Sequence, residues 1–343
     1  MWEERARRTR RDIAALAASG VGVNDLHAAA IELTARDVGT DLTCWATIDP
    51  QSLVISAMVS GETRLPAEYE PLLADAEYSG EELDTFAGMA RSRKPLARLS
   101  DLPLHDQERS ARYRNVWKPL GVRQELRVLF SADGSCWGAA GMVRAGTDFS
   151  EREVEYLTAV APSIAAATRL AVRSELSAHA WGSRPAIVVL SSAGDVCSAT
   201  PEARHWQEHL DEFAPHRFDT MMHIMVQGLR SNSADGFRAT LRDGHGQWAH
   251  MEASPLTGED DGQIAVVITP ATGAQLTGML LAAYGLSARE RAICLEVMAG
   301  SPTRHIARHL SVTPNTVQDH LKSVFAKTGV TSRGELVARL QPR

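Results

Sequence analysis

Four side chains near the end of this 343-residue chain have types and spacing that could read a base edge. Asn315, Gln318, Asp319 and Lys322 fall on one stripe of a helix, because residues three and four apart are neighbours there. A Gln amide matches adenine, a Lys ammonium matches the guanine acceptors, and an Asp carboxylate can accept from the cytosine amino group. Thr303, Thr313 and Thr316 stand at the starts of expected helices. Hydroxyls and unpaired backbone N–H groups at such places can hold phosphate. Asp319 repels phosphate, so its neighbours must offset it. A solvated face of a small helical bundle carries the same kind of stripe, so the stripe alone leaves both readings open.

Other residues point to different chemistry. His205 and His209 are one helical turn apart, a spacing that can hold a metal, and His305 and His309 repeat it. His223 lies in an expected helix over 221–229 and could ligate haem. These histidines support an alternative: a metal- or haem-binding sensor or enzyme centred on the middle of the chain. Without further ligands, solvated histidines explain the spacing as well. Trp45 and Trp137 sit on expected strands, where they could line a ligand pocket or fill an ordinary core.

No Gly-rich phosphate loop, nucleophile elbow or βαβ series with paired acidic residues is present. No catalytic residue, bound metal or cofactor is therefore expected, and the chain does not read as an enzyme. Cys44, Cys136, Cys197 and Cys294 are too scattered for a zinc knuckle or a disulfide framework. Cys197 falls in a hairpin rather than a helix, which argues against flavin photochemistry. The start lacks the apolar core of a signal peptide, and no run of about 18 apolar residues suggests a membrane span. A cytoplasmic protein with no membrane partner is expected. Arg5, Arg7, Arg8, Arg10 and Arg11 are diluted by Glu3, Glu4 and Asp12, and read as a solvated helix face.

The elements that must position these groups fall into three units. Helices are expected over 3–18 and 24–38, the second capped by Asn24. Strands over 42–48 and 53–59 follow, then helical pieces near 79–92 and 106–117. Asp133-Gly134 turns a hairpin between strands over 125–131 and 136–144. Ser150 and Glu153 form a capping box for a helix reaching 177. After a break at Gly182-Ser183-Arg184-Pro185, a second antiparallel unit runs through strands at 187–190, 196–198, 237–241, 248–253 and 264–268. Its helix starts at Thr200-Pro201, and Asp243-Gly244-His245-Gly246 makes a turn. Residues 270–278 read as a linker, and everything beyond is helical. The fold class is multidomain α+β, with two antiparallel-sheet α/β units followed by an all-α four-helix unit.

In that last unit Ser287 and Glu290 form a capping box, and Gly300 ends the helix. Pro302-Thr303 starts a short helix, Ser311-Val312 turns, and Thr313-Pro314 starts a third. Ser332 and Glu335 open a fourth. This order is that of a helix-turn-helix. Residues 286–340 resemble the LuxR-type (NarL/FixJ-like) helix-turn-helix through Leu286-Ser287, Arg289-Glu290, Gly300, Ile306-Ala307, Leu310, Val312, Thr316-Val317, His320-Leu321, Lys327, Gly329-Val330, Arg333 and Glu335-Leu336. The resemblance implies groove contacts from Gln318, Asp319 and Lys322, and backbone contacts around Thr303, Thr313, Thr316 and Lys327. It also implies that the last helix helps dimerise the module. Gln318 and His305 depart from the residues common in that family, which have Lys and an acid there, so the preferred bases differ.

Residues 24–175 resemble a GAF domain through Ser110-Ala111-Arg112-Tyr113-Arg114, Pro119-Leu120-Gly121, Glu125-Leu126-Arg127 and Cys136-Trp137-Gly138. Residues 185–270 resemble a PAS domain through Ala193-Gly194-Asp195, Ala199-Thr200-Pro201-Glu202-Ala203 and Asp243-Gly244-His245-Gly246-Gln247-Trp248. The expected division is a GAF-like sensor over 1–177 with flanking helices, a PAS-like unit over 183–270 and a helix-turn-helix over 276–343. These resemblances imply double-stranded DNA with a two-fold operator, a second copy of the chain, and a small-molecule effector as partners.

The charge supports that division. The chain carries a net charge of -6, which by itself disfavours phosphate. Residues 276–343, however, hold nine Lys and Arg against four Asp and Glu, while the rest hold 27 against 38. The average conceals a basic segment attached to an acidic one.

Overall fold

The computed structural model describes residues 2–176, 184–213, 216–231, 236–243, 245–257 and 262–340. Gly182 and Ser183 of the break expected at 182–185, and Gly244 of the second turn, lie outside them.

The first unit opens with helices α1 (Trp2–Ala18) and α2 (Val23–Ala35), then strands β1 (Leu42–Ile48) and β2 (Ile55–Ser60). Next come α3 (Glu70–Tyr78), α4 (Phe86–Ser92), β3 (Leu96–Arg98) and α5 (Leu104–Arg109). The hairpin of β4 (Gln124–Ala132) and β5 (Ser135–Arg144) leads into the long helix α6 (Glu151–Leu176). The sheet is antiparallel in the order β2-β1-β5-β4-β3. Asp133 and Gly134 both adopt positive φ, the mirror-image turn that suits the twist of a two-residue hairpin. Glu153 accepts hydrogen bonds from the Ser150 N–H and hydroxyl, at 2.7 and 2.8 Å, so the expected capping box is formed.

Helices α1, α2 and α6 bury their apolar faces with one face of this sheet. Ile13, Leu26, Trp45, Phe130, Trp137, Leu157, Val160 and Ile164 share one core cluster. Trp45 is on that face by strand alternation. Trp137 joins it because the pairing skips from Phe130↔Gly138 to Ser131↔Cys136, leaving Trp137 as the extra residue of a bulge.

The local expectations failed where tertiary partners took over. Asn24 does not cap α2: Gly22 precedes the helix, and the Val23 N–H donates to Glu175 at 2.9 Å. Asn24 is buried instead, accepting from Arg242 at 2.8 Å. Of the stretch near 79–92 expected to hold helical pieces, only Phe86–Ser92 is helical, as α4, while α3 ends at Tyr78 just before it. The piece near 106–117 divides into α5 and a π-type turn over Tyr113–Trp117. The edge strand β3 was not foreseen, since three residues give too little alternation to read.

The second unit contains β6 (Ala186–Leu190), β7 (Val196–Ala199), α7 (Pro201–Phe213), α8 (Arg217–Ser231), β8 (Phe237–Arg242), β9 (Trp248–Pro255) and β10 (Ile264–Pro270). Its sheet order, β7-β6-β10-β9-β8, repeats the order of the first. Met221, Met222, Met225 and Val226 of α8 pack with Trp206 and Leu210 of α7 and with the sheet in one core. Gly228 lets α8 approach β8, since a Cβ there would lie 2.3 Å from the Phe237 ring.

No flexible linker separates this unit from the last. Residues 270–278 were expected to be one, but β10 runs to Pro270 and α9 (Gly273–Ala283) follows at once, opened by a Thr272–Gln275 capping box. Leu276, Met279, Leu280 and Leu281 are buried in the same cluster as α6, which overrides the turn signal of the glycines. Four more helices close the chain: α10 (Ala288–Met298), α11 (Thr303–His309), α12 (Pro314–Thr328) and α13 (Arg333–Leu340).

Candidate functional site

Helices α10, α11, α12 and α13 bury Ile293, Cys294, Val297, Ile306, Ala307, Val317, Leu321, Val324, Leu336 and Leu340. That core leaves one face of α12 outward. Asn315, Gln318, Asp319 and Lys322 are exposed on it, while Thr316 is half-buried. Thr313 caps α12 by accepting from the Thr316 N–H at 3.1 Å, and Gly329 ends it in a left-handed conformation. The turn before α12 contains Ser311 at φ 54. Arg289 donates to the Leu310 carbonyl and Arg333 to the Ser301 carbonyl, so two of the quoted arginines hold the turns around α11.

The outward side chains are lightly engaged. Lys322 Nζ lies 3.0 Å from Asp319 Oδ1, one turn away, with both side chains about three-quarters exposed. Such a pair is worth little, so it can open when a base edge competes for the ammonium. Gln318 Nε2 donates to Thr303 Oγ1 at 3.4 Å, bridging α12 and α11. Lys327 is placed differently. Its ammonium lies 2.7 Å from the buried Glu290 carboxylate and helps join α12 to α10. Arg304 and Arg308 are exposed on α11 and were not singled out in the sequence. Their spacing of four, which keeps both away from Ile306 and Ala307, was the available signal.

Residues 285–340 match the family model for bacterial regulatory proteins of the luxR family. This segment is a luxR-family helix-turn-helix domain. The monoamine regulon transcriptional regulator of Klebsiella aerogenes is 46% identical over 54 residues, 16% of this chain and 24% of that protein. The chain thus spans about a quarter of that curated relative's length. Among solved structures, a phycoerythrobilin-bound GAF domain from a cyanobacterial phytochrome is similar at 16% identity, covering 51% of this chain and 97% of that one, with a TM-score of 0.35. The Vibrio cholerae VqmA dimer is similar at 13% identity, covering 46% and 81%, with a TM-score of 0.22.

Upstream of the luxR-family domain, a cavity of about 390 Å³ lies between the two sheet units. Its walls are β1, β2, β4, β5 and α3 of the first unit and the start of α8 of the second. Leu42, Cys44 and Ala46 of β1 face it, so Trp45 points to the opposite side. Trp45 and Trp137 line no part of the cavity: both are fully buried, with Trp45 packed 4.7 Å from Phe130 between ring centroids. The candidate pocket residues are therefore core. Beside Trp45, His27 is completely buried and donates to or accepts from Thr168 at 2.9 Å. Burial, with Arg242 nearby, pushes its imidazole down to about 3, so it stays neutral.

The polar part of the cavity wall is a buried ion network. Arg127 Nη2 lies 2.5 Å from Glu77, Arg112 Nε lies 2.9 Å from Glu125, and Arg127 stacks over Phe86 at 3.7 Å. Burial opposes ionisation of Glu125, but Arg112 and Arg127 outweigh it and hold the carboxyl below its ordinary range. Arg217, Glu70, Glu77 and Tyr78 also line the cavity, and none was singled out in the sequence. The signal was there for Arg217. It precedes Met221 by four residues and Ile224 by seven, which puts a cation on an apolar helix stripe.

The histidines do not converge. The His205 and His209 rings are 4.4 Å apart between centroids, and His223 Nε2 lies 2.7 Å from Asp75. Among the described residues, no three His, Cys, Asp or Glu side chains are arranged to hold a metal ion. No described helix is long and apolar enough to cross a membrane.

Proposed function

We propose that this chain is a cytoplasmic transcriptional regulator that binds double-stranded DNA through α12 and responds to a small molecule held between its sheet units. The observation that carries this reading is the exposed stripe on the capped helix α12 of a luxR-family domain. The name of the Klebsiella aerogenes relative supports transcription as the process. The two sheet units are read as GAF-like and PAS-like sensors, on the residues quoted above and their shared strand order. A homodimer on a two-fold operator follows from the way dimeric helix-turn-helix modules meet symmetric half-sites. Contacts from Thr303, Thr313, Asn315, Thr316, Gln318, Asp319 and Lys322 belong to this reading. Lys327 reaches phosphate only by sharing its ammonium with Glu290.

The cavity gives the signal a route. Its walls belong to both sheet units, so an occupant that fits one arrangement of α3 and α8 better than another shifts their balance. Helix α9 is packed on α6 and enters α10 after a short turn, so α6 and α9 can pass a rearrangement to the DNA-facing helix.

Lys322→Ala is expected to weaken binding to a cognate site by about 1–3 kcal/mol if the ammonium reads a guanine edge. Gln318→Ala is expected to relax preference at a neighbouring base. Genome-wide mapping of bound sites supplies the operator, and anisotropy titration of the variants on it measures both effects. Wild-type affinity in Lys322→Ala, Gln318→Ala and their combination would show that α12 does not present this face to DNA.

A further inference from the structure

The cavity joins an apolar lining to a buried cation that, among the described residues, lacks a close carboxylate. Leu42, Ile55, Met58, Leu73, Phe86 and Ile224 line it, so an occupant must be largely apolar. Its charged groups are mostly committed to one another. Glu77 and Glu125 are ion-paired with Arg127 and Arg112. Cys44 is pushed up to about 11 by burial, and Tyr78 is also raised by burial, so both are neutral.

Arg217 is different. It is 6% exposed, and its Nη2 donates to the Ser56 carbonyl at 2.8 Å. Among the described residues no carboxylate lies within ion-pair distance of it. Burial lowers its guanidinium to about 10, a direction opposite to that of Arg112, which has carboxylates around it. It remains protonated at pH 7. A buried cation without a close anion is costly, and a guanidinium can take a carboxylate through two parallel hydrogen bonds. Glu70, on the facing wall, is half-buried and accepts from Thr220 Oγ1 at 3.4 Å. Burial raises its pKa, opposed by Thr220, His216, Arg217 and Arg64, and it acts on Arg217 only from beyond ion-pair distance.

We propose that the cavity takes a small apolar molecule bearing one carboxylate, with Arg217 of the second unit holding the carboxylate and the first unit packing the apolar body. Ligand and counterion are then the same group, and the ligand bridges the two units. A phosphate dianion would bury more charge than this lining can satisfy, and an amine would face Arg217. This inference rests on the reading of the cavity as a ligand site.

The test uses the full-length chain with matched probes: octanoate, phenylacetate and indole-3-acetate, with the primary amide and the amine of each. Binding is read by titration calorimetry and by hydrogen exchange. At least one carboxylate is expected to bind ten-fold or more tighter than its amide and amine. It should protect both α3 and α8 from exchange. Arg217→Gln keeps a donor toward Ser56 and is expected to erase the preference for carboxylate over amide. Ala74→Phe, which fills the cavity, is expected to abolish binding of every probe. Amide or amine binding equal to that of the carboxylate in the wild type, lost in Ala74→Phe, overturns the carboxylate assignment and leaves the cavity as a ligand site. Binding that survives Ala74→Phe, or no binding by any probe, overturns the cavity reading as well. The wild-type comparison decides the matter even if Arg217→Gln does not fold.

Discussion

Glu125→Ala is expected to destabilise the first sheet unit by about 3–5 kcal/mol, because it breaks a buried ion pair from one side. Glu125 lies between two guanidiniums: Arg112 Nε at 2.9 Å and Arg127 Nη1 at 3.5 Å. All three side chains are at most 5% exposed. Arg127 would keep Glu77, but Arg112 would keep only Glu82, at 3.9 Å. The cost is mainly that of an unpaired guanidinium in a place water cannot reach. Urea unfolding followed by tryptophan fluorescence checks it, since Trp45, Trp117 and Trp137 all lie in this unit. A combined Arg112→Met and Glu125→Leu variant is expected to recover much of the loss, as apolar replacements of a whole buried pair often do. A wild-type urea midpoint in Glu125→Ala would show that the network does not hold the unit together. Because Glu125 also lines the cavity, the same variant should weaken ligand binding, while the doubly replaced one separates stability from recognition.

Glu290→Gln is expected to cost the luxR-family domain about 3 kcal/mol at pH 7, the equivalent of the carboxyl's displacement on folding. Burial alone would raise this carboxyl. Hydrogen bonds from Lys327, Ser323 and Ser287 outweigh burial and hold it at about 2, against an ordinary 4.5. The bonds are 2.7 Å from Lys327, 2.6 Å from Ser323 and 2.7 Å from the Ser287 N–H. One carboxylate thus caps α10 and ties α12 to it. The folded pKa lies below the unfolded one, so the contribution is complete above about pH 5.5. It declines as the unfolded carboxyl protonates and is lost as pH falls through about 2. At pH 3 the gap between wild type and Glu290→Gln should shrink to roughly 1 kcal/mol. Hydrogen-exchange protection of the amides in residues 285–340 measures the local stability at both pH values. An unchanged gap would mean that Glu290 acts by shape rather than by charge. Operator affinity should change too, because the pose of α12 depends on Glu290 and the carboxylate holds the Lys327 ammonium.

The exposed polar stripe of α12 was legible because it is local. Capping residues, the left-handed Gly329 and a 3.6-residue period all lie within about 55 residues, so chain order and spatial order agree. The Asp133-Gly134 hairpin and the Ser150–Glu153 box were legible for the same reason. Asn24 misled because Glu175, distant in sequence, supplies to the Val23 N–H the acceptor that the Asn24 side chain was expected to provide at this helix start. The linker at 270–278 misled because its glycines read as punctuation, whereas Leu276 and Met279–Leu281 find a helix to pack against. Trp45 and Trp137 were read as core or pocket, and only strand phase and a bulge decided for core.

By itself, the sequence determined the order of units, the basic end attached to an acidic body, and the capped helix that carries the exposed polar stripe. Each follows from neighbours along the chain. The tertiary structure alone decided where the cavity lies, because its walls come from residues as far apart as Leu42 and Ile224. It also decided which charges are spent. Lys327 went to Glu290, and Glu77 and Glu125 went to arginines on other elements. Arg217 went to a carbonyl of the other unit, with no close carboxylate. Burial sets the worth of a charge, and burial is a property of the whole fold rather than of any stretch of sequence.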